Sequence, residues 1–196
     1  MKLDKNTLDI LLDDLGLDKL TVLLKNIDKG LEVRSITLYE DSTIQVRIYR
    51  TVKRIENEYL RLQFDLLGKN KTKIRTSDME YFDYVELDEL NKIIDCIYGF
   101  LDKELNRDTL STIINFMKEL NSHNKLETLG EKFKIQNEKF FKKGKNTSVI
   151  KLWKKDRPYV SEFKHLLKGW LSGTVKLTDK KKEEKVQVII KEEGEE

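Results

Sequence analysis

Apolar residues recur at three- and four-residue intervals at the start of the chain, first Leu8, Leu11, Leu12 and Leu15, then Leu20, Leu23, Leu24 and Ile27. That spacing predicts two short amphipathic helices over 8–15 and 18–27, which need a partner surface in the sheet that follows or in a second copy of the chain. Gly16 is expected to separate them, and Gly30 to close the second in the left-handed conformation that follows many helices. The period then changes to two. In Ile44–Lys53, Ile44, Val46, Ile48 and Val52 alternate with Gln45, Arg47, Tyr49, Thr51 and Lys53. In the next run Leu60, Leu62, Phe64 and Leu66 alternate with Tyr59, Arg61 and Gln63, as strands with one apolar and one polar face require. Residues 31–85 therefore read as four or five antiparallel strands in a meander. The expected turns are Glu40-Asp41-Ser42, Ile55-Glu56-Asn57 and Gly68-Lys69-Asn70-Lys71.

Met79-Glu80-Tyr81-Phe82-Asp83-Tyr84-Val85 leads into a helix on which Leu87, Leu90, Ile94, Ile97, Leu101 and Leu105 form a stripe. This stripe should cover the aliphatic face of the sheet and leave the other face open. A second helix is expected to start at Asp108, whose carboxylate suits the first unbonded amides, with Leu110, Ile113, Ile114, Met117 and Leu120 inward. Asn121-Ser122-His123-Asn124 ends it. Beyond Pro158, Phe163, Leu166, Leu167, Trp170 and Leu171 mark a last amphipathic helix, and after Gly173 the composition becomes strongly charged. The fold class predicted is α+β, an antiparallel sheet meander covered on one face by helices, with a basic helical C-terminal part. Its parts are an α+β sheet domain over 1–121, a basic helical region over 122–173 and a charged, frayed tail over 174–196. Val186, Val188 and Ile190 alternate within that tail.

Charge sharpens this picture. Residues 125–157 hold eleven Lys or Arg against four acids, a net +7 in a chain whose total is only +3. Residues 1–124 carry 19 basic and 23 acidic groups, a net −4. A cluster of this kind attracts polyanions with salt-dependent affinity. The single cysteine, Cys96, forms no internal disulfide and sits among isoleucines as a small core residue. Acidic residues interrupt the leucines of 1–16, and no apolar run approaches ~20 residues, so the expectation is a reduced, cytoplasmic protein without a membrane span.

Arg47, Tyr49, Lys53, Tyr59 and Arg61 fall together on the polar face of the predicted sheet. Cations that pair with phosphates and rings that stack bases are the means by which single-stranded nucleic acid is held without sequence readout. Lys73 and Arg75 extend the basic character to one end of the sheet, and Lys139, Lys142, Lys143, Lys151 and Lys154 supply the lysine-rich segment. No histidine or cysteine spacing matches a metal site, and no glycine-rich phosphate loop is present, so no cofactor is expected. Glu162-Phe163-Lys164 has the acid-x-lysine spacing of metal-dependent nucleases, but its neighbours Leu166, Leu167 and Trp170 read as helix, and a non-catalytic protein is expected.

Two resemblances bear on function. The sheet followed by Tyr81-Phe82-Asp83-Tyr84-Val85 and the helix from Leu87 resembles, over roughly residues 31–105, the sheet-plus-helix unit of the archaeal ThermoDBP family and of Whirly and coactivator-type domains. That resemblance implies single-stranded DNA held across the open sheet face by Arg47, Tyr49, Lys53, Tyr59 and Arg61, commonly in a homodimer, with RNA possible as a ligand. Leu129-Gly130-Glu131-Lys132-Phe133-Lys134-Ile135-Gln136-Asn137-Glu138-Lys139-Phe140 resembles a helix-turn-helix, with Gly130 where two helices cross. It implies instead a duplex-DNA regulator using residues 125–145, whose second helix would carry Lys139, Lys142 and Lys143 into the major groove. A third reading is a virus- or plasmid-type inhibitor module whose lysines meet an acidic protein.

Overall fold

A computed structural model describes residues 2–13, 15–66, 73–75, 86–123, 125–136, 140–143, 148–150 and 157–178, with side chains at all of these except 73–75, 141–143, 148–150 and 157–158. The class is α+β. Helix α1 (Lys5–Leu12) opens on Asp4, whose side chain accepts from the Thr7 amide at 2.7 Å. Helix α2 (Leu15–Lys25) begins earlier than the spacing predicts, and Gly16 lies buried in its first turn rather than between the helices. A Cβ on Gly16 would stand 2.6 Å from Ile10 Cγ2, so glycine there lets α1 and α2 approach closely. Gly30 is not left-handed. Its missing side chain makes room for the Thr51 carbonyl, which a Cβ would meet at 2.8 Å.

The main sheet is the predicted meander: β1 (Leu31–Leu38), β2 (Thr43–Val52), β3 (Ile55–Asp65) and β4 (Lys73–Arg75), antiparallel in that order. The first turn falls at 39–42 as expected. The second is the two-residue turn Lys53-Arg54, with φ of 49° and 66°, rather than Ile55-Glu56-Asn57. Two bulges break the alternation. Between β1 and β2 the register passes from Val33↔Ile48 to Ser35↔Arg47, leaving Arg34 as the extra residue. Between β2 and β3 it passes from Ile48↔Leu60 to Tyr49↔Glu58, leaving Tyr59 extra.

The inner face of this sheet supplies most of the core, with Leu31, Val33, Ile36, Leu38, Ile44, Val46, Ile48, Leu60, Leu62 and Phe64 all buried. Helix α3 (Leu87–Glu104) adds Ile93, Ile97, Phe100 and Leu101. Its contact with β3 is fixed by an edge-to-face pair of Phe64 and Tyr98, 4.8 Å between centroids. Leu87, predicted to begin the buried stripe, is 70% exposed. Helix α4 (Arg107–Ser122) is capped by Asn106, which accepts from the Thr109 amide at 2.9 Å, so Asp108 lies inside the first turn. Its predicted stripe is buried throughout, with Phe116 added.

The described residues between 125 and 150 differ from the expected helical region. β5 (Lys125–Thr128) and β6 (Glu131–Lys134) form a hairpin on the turn Leu129-Gly130, both residues at positive φ. β7 (Phe141–Lys143) and β8 (Ser148–Ile150) form another. Helix α5 (Arg157–Ser172) follows, with Pro158 tolerated in its first turn. Phe116 of α4 meets Phe163 and Trp170 of α5 at 5.2 and 5.4 Å, which makes the apolar interior continuous from α1 to α5. β9 (Val175–Thr178) then pairs with β5, giving a second sheet in the order β6-β5-β9 and drawing these four residues out of the expected tail. Residues 179–196, with Val186, Val188 and Ile190, lie outside the described residues, as do the Gly68 turn and the 79–85 segment.

Candidate nucleic-acid interface

The polar face of the main sheet carries arginines in a cross-strand row, Ser35↔Arg47↔Arg61↔Arg75 in register. Directly opposed like charges are unfavourable unless something neutralises them. Here Glu58 does so. It accepts from Arg47 Nη2 at 2.6 Å and from Arg61 Nε at 2.8 Å. Burial opposes ionisation of Glu58, but the hydrogen bonds and charges of Arg47 and Arg61 outweigh it and hold the carboxyl below its ordinary value. The Arg47 guanidinium is raised in turn by its bond to Glu58. Arg34 pairs with Glu56 across the same face. The face is therefore an ion-pair network more than a cationic platform.

Its rings are occupied too. The Tyr49 ring lies under the guanidiniums of Arg34 and Arg47, at 5.3 and 5.8 Å from its centroid. Tyr59, predicted beside it, is on the other side of the sheet. The bulge turns it inward, where it is 2% exposed, donates to Glu89 at 3.2 Å and lies under Arg50 at 5.1 Å. Burial first, then the nearby Glu89 carboxylate, push its hydroxyl up to about 12. At the other end Ser35, Thr37 and Gln45 are buried, so this face is only partly open.

The remaining predicted residues are dispersed. Lys53 sits at the exposed tip of the β2–β3 hairpin rather than on the sheet face. The main chain places Lys73 and Arg75 on β4, opposite Gln63 and Arg61, and Lys142 and Lys143 on β7. Lys139, Lys151 and Lys154 lie outside the described residues. Because 125–134 is a hairpin, no pair of helices exists there to form a helix-turn-helix. Glu162 and Lys164 lie on α5 rather than on a strand, and Lys164 donates to both oxygens of Asp13 at 2.5 Å. Among the described residues no group of three or more His, Cys, Asp and Glu is placed to hold a metal ion. Burial raises the Cys96 thiol, which is half-buried on α3.

The second sheet brings together Lys125, Lys132 and Lys134, expected in the basic helical region, and Lys176, expected in the charged tail. Lys125 stands opposite both Lys134 and Thr178, and Glu127 opposite both Lys132 and Lys176. Opposed residues share a face. One face thus carries Lys125, Lys132, Lys134 and Lys176, with Glu127 among them. The other carries Leu126, Leu177 and Val175 toward α5, with Phe133 at its edge. Gly169 makes that packing possible, since a Cβ there would stand 2.5 Å from Val175 Cγ2. A signal for this hairpin does exist in the sequence: Leu-Gly between Lys125-Leu126-Glu127-Thr128 and Glu131-Lys132-Phe133-Lys134, two short alternating runs. Comparison of the chain with protein-family models, curated proteins and solved structures finds no match. Among the described residues no helix is long and apolar enough to cross a membrane.

Proposed function

We propose that the protein binds nucleic acid without catalysing its turnover, holding the phosphate backbone on the lysine face of the β6-β5-β9 sheet. One observation carries this reading: Lys125 stands opposite Lys134 across a strand pair, and the register puts Lys132 and Lys176 on the same face. Like charges directly opposite each other destabilise a sheet, and a polyphosphate ligand reverses the sign of that contribution. Three of these lysines belong to the segment 125–157, whose net charge is +7. Binding is directed to phosphate rather than to bases, because Tyr49 is covered by two guanidiniums and Tyr59 is buried. Single-stranded DNA, RNA and duplex all present that chemistry. The test is a double charge reversal, Lys134→Glu with Lys176→Glu, assayed by mobility shift on all three ligands. All three affinities are expected to fall together. Unchanged affinity for every one of them would remove the lysine face from the account.

A further inference from the structure

The β2–β3 hairpin runs on past its neighbours. Leu31, the first residue of β1, pairs with Arg50, the Thr51 amide donates to the Gly30 carbonyl at 3.0 Å and Glu56 pairs with Arg34, while β4 pairs only with Arg61–Gln63, so among the described residues 52–55 have no strand beside the hairpin. Val52 and Ile55, directly opposite one another, are 52% and 62% exposed. Lys53 and Arg54 form the turn between them, both exposed and both at positive φ. Two-residue hairpin turns of this kind are ordinarily Asn-Gly or Asp-Gly, because side chains such as Lys and Arg are strained in the left-handed region. A strained backbone that bears two cations beside two exposed aliphatic side chains points to a use for those side chains.

We propose that this tip is an arm that enters the minor groove of duplex nucleic acid, with Val52 and Ile55 wedged at a base step and Lys53 and Arg54 on the flanking phosphates. Apolar wedges beside cations are how minor-groove proteins unstack and bend a duplex. An anionic bilayer shares the charge complementarity, but two branched side chains offer only about half the carbons of a myristoyl chain, itself a marginal anchor. The inference rests on the proposed function and adds a second contact that only a duplex satisfies.

The experiment compares the parent protein with Val52→Ser/Ile55→Ser, Lys53→Asn/Arg54→Gly and Lys134→Glu/Lys176→Glu. Readouts are thermal unfolding, the salt dependence of binding to single-stranded and duplex DNA, and the fluorescence of 2-aminopurine within the duplex. Lys53→Asn/Arg54→Gly is expected to raise the unfolding temperature. It should also reduce the duplex salt slope by about 1.8, the loss of two phosphate contacts, and leave the single-strand slope unchanged. Val52→Ser/Ile55→Ser should abolish the aminopurine increase seen with the parent. A more stable turn variant with an unaltered duplex slope, while the lysine-face variant binds weakly, overturns the arm and leaves the proposed function standing. A parent protein that binds no nucleic acid overturns both. Parent binding to phosphatidylserine vesicles that is lost in Val52→Ser/Ile55→Ser, with duplex binding intact, overturns the arm in favour of a lipid contact.

Discussion

Tyr59 stands with its ring 2% exposed and its hydroxyl on Glu89. Truncation to Ala should therefore cost about 3–5 kcal/mol of stability, as large core aromatics do. Tyr59→Phe loses only the hydrogen bond, about 0.5–1.5 kcal/mol. Urea unfolding of both variants checks this, and nucleic-acid affinity of the folded fraction should be the same for each. The raised hydroxyl also gives a sign at alkaline pH. The unfolded chain releases this proton first, so stability is lost as pH climbs from 10.0 towards about 12, and Tyr59→Phe should flatten that loss. Glu58 has the opposite sign. Its carboxyl lies below the ordinary 4.5, so its contribution is complete above that value and disappears as pH falls through the lower folded one. Glu58→Gln should weaken this acid dependence when melting temperature is followed from neutral to acid pH. The sequence placed Arg47, Arg61 and Gln63 on the polar face as observed, but strict alternation carried Tyr59 there with them. One extra residue in a strand reverses the assignment of its neighbour, and nothing in a single sequence marks where the bulge falls.

At the scale of elements, the long periodic segments were legible and the short ones were not. α4 and the three long strands of the main sheet bury about as many apolar side chains as their period implies, whereas on α3 only Ile97 and Leu101 of the predicted stripe are buried, joined by Ile93 and Phe100. Their boundaries depend on local hydrogen bonds. Asn106 rather than Asp108 caps α4, and Asn106→Ala should cost about 1 kcal/mol in thermal or chemical unfolding. Gly16 was read as a break because glycine weakens helices, yet it serves a close helix crossing. Gly16→Ala should destabilise by roughly 1–3 kcal/mol, since the added methyl meets Ile10. Four-residue strands such as β5 and β6 offer too few positions for a period to declare itself. Gly130 at φ 83° turns the chain there instead of packing between helices. The lysines of this hairpin were recognised as a charge cluster from composition alone. Their arrangement on one face needed the pairing of β5 with β9, fifty residues apart along the chain.

For the whole molecule, the two sheets divide the cationic residues into two kinds. Arginines of the main sheet are held by Glu56 and Glu58, whereas the second sheet sets Lys125, Lys132, Lys134 and Lys176 on one face with Glu127. The proposed contact with a polyanion is the lysine face of the second sheet. The most direct test is the slope of log affinity against log salt for a DNA single strand, measured on the parent protein and on Lys134→Glu/Lys176→Glu. Each phosphate contact contributes about 0.7 to that slope. The account predicts a steep slope for the parent and a slope at least about 1.4 shallower for the double variant, with Arg61→Gln leaving it unchanged. A flat response in the parent, or a slope that responds to Arg61→Gln but not to the two lysines, would contradict it.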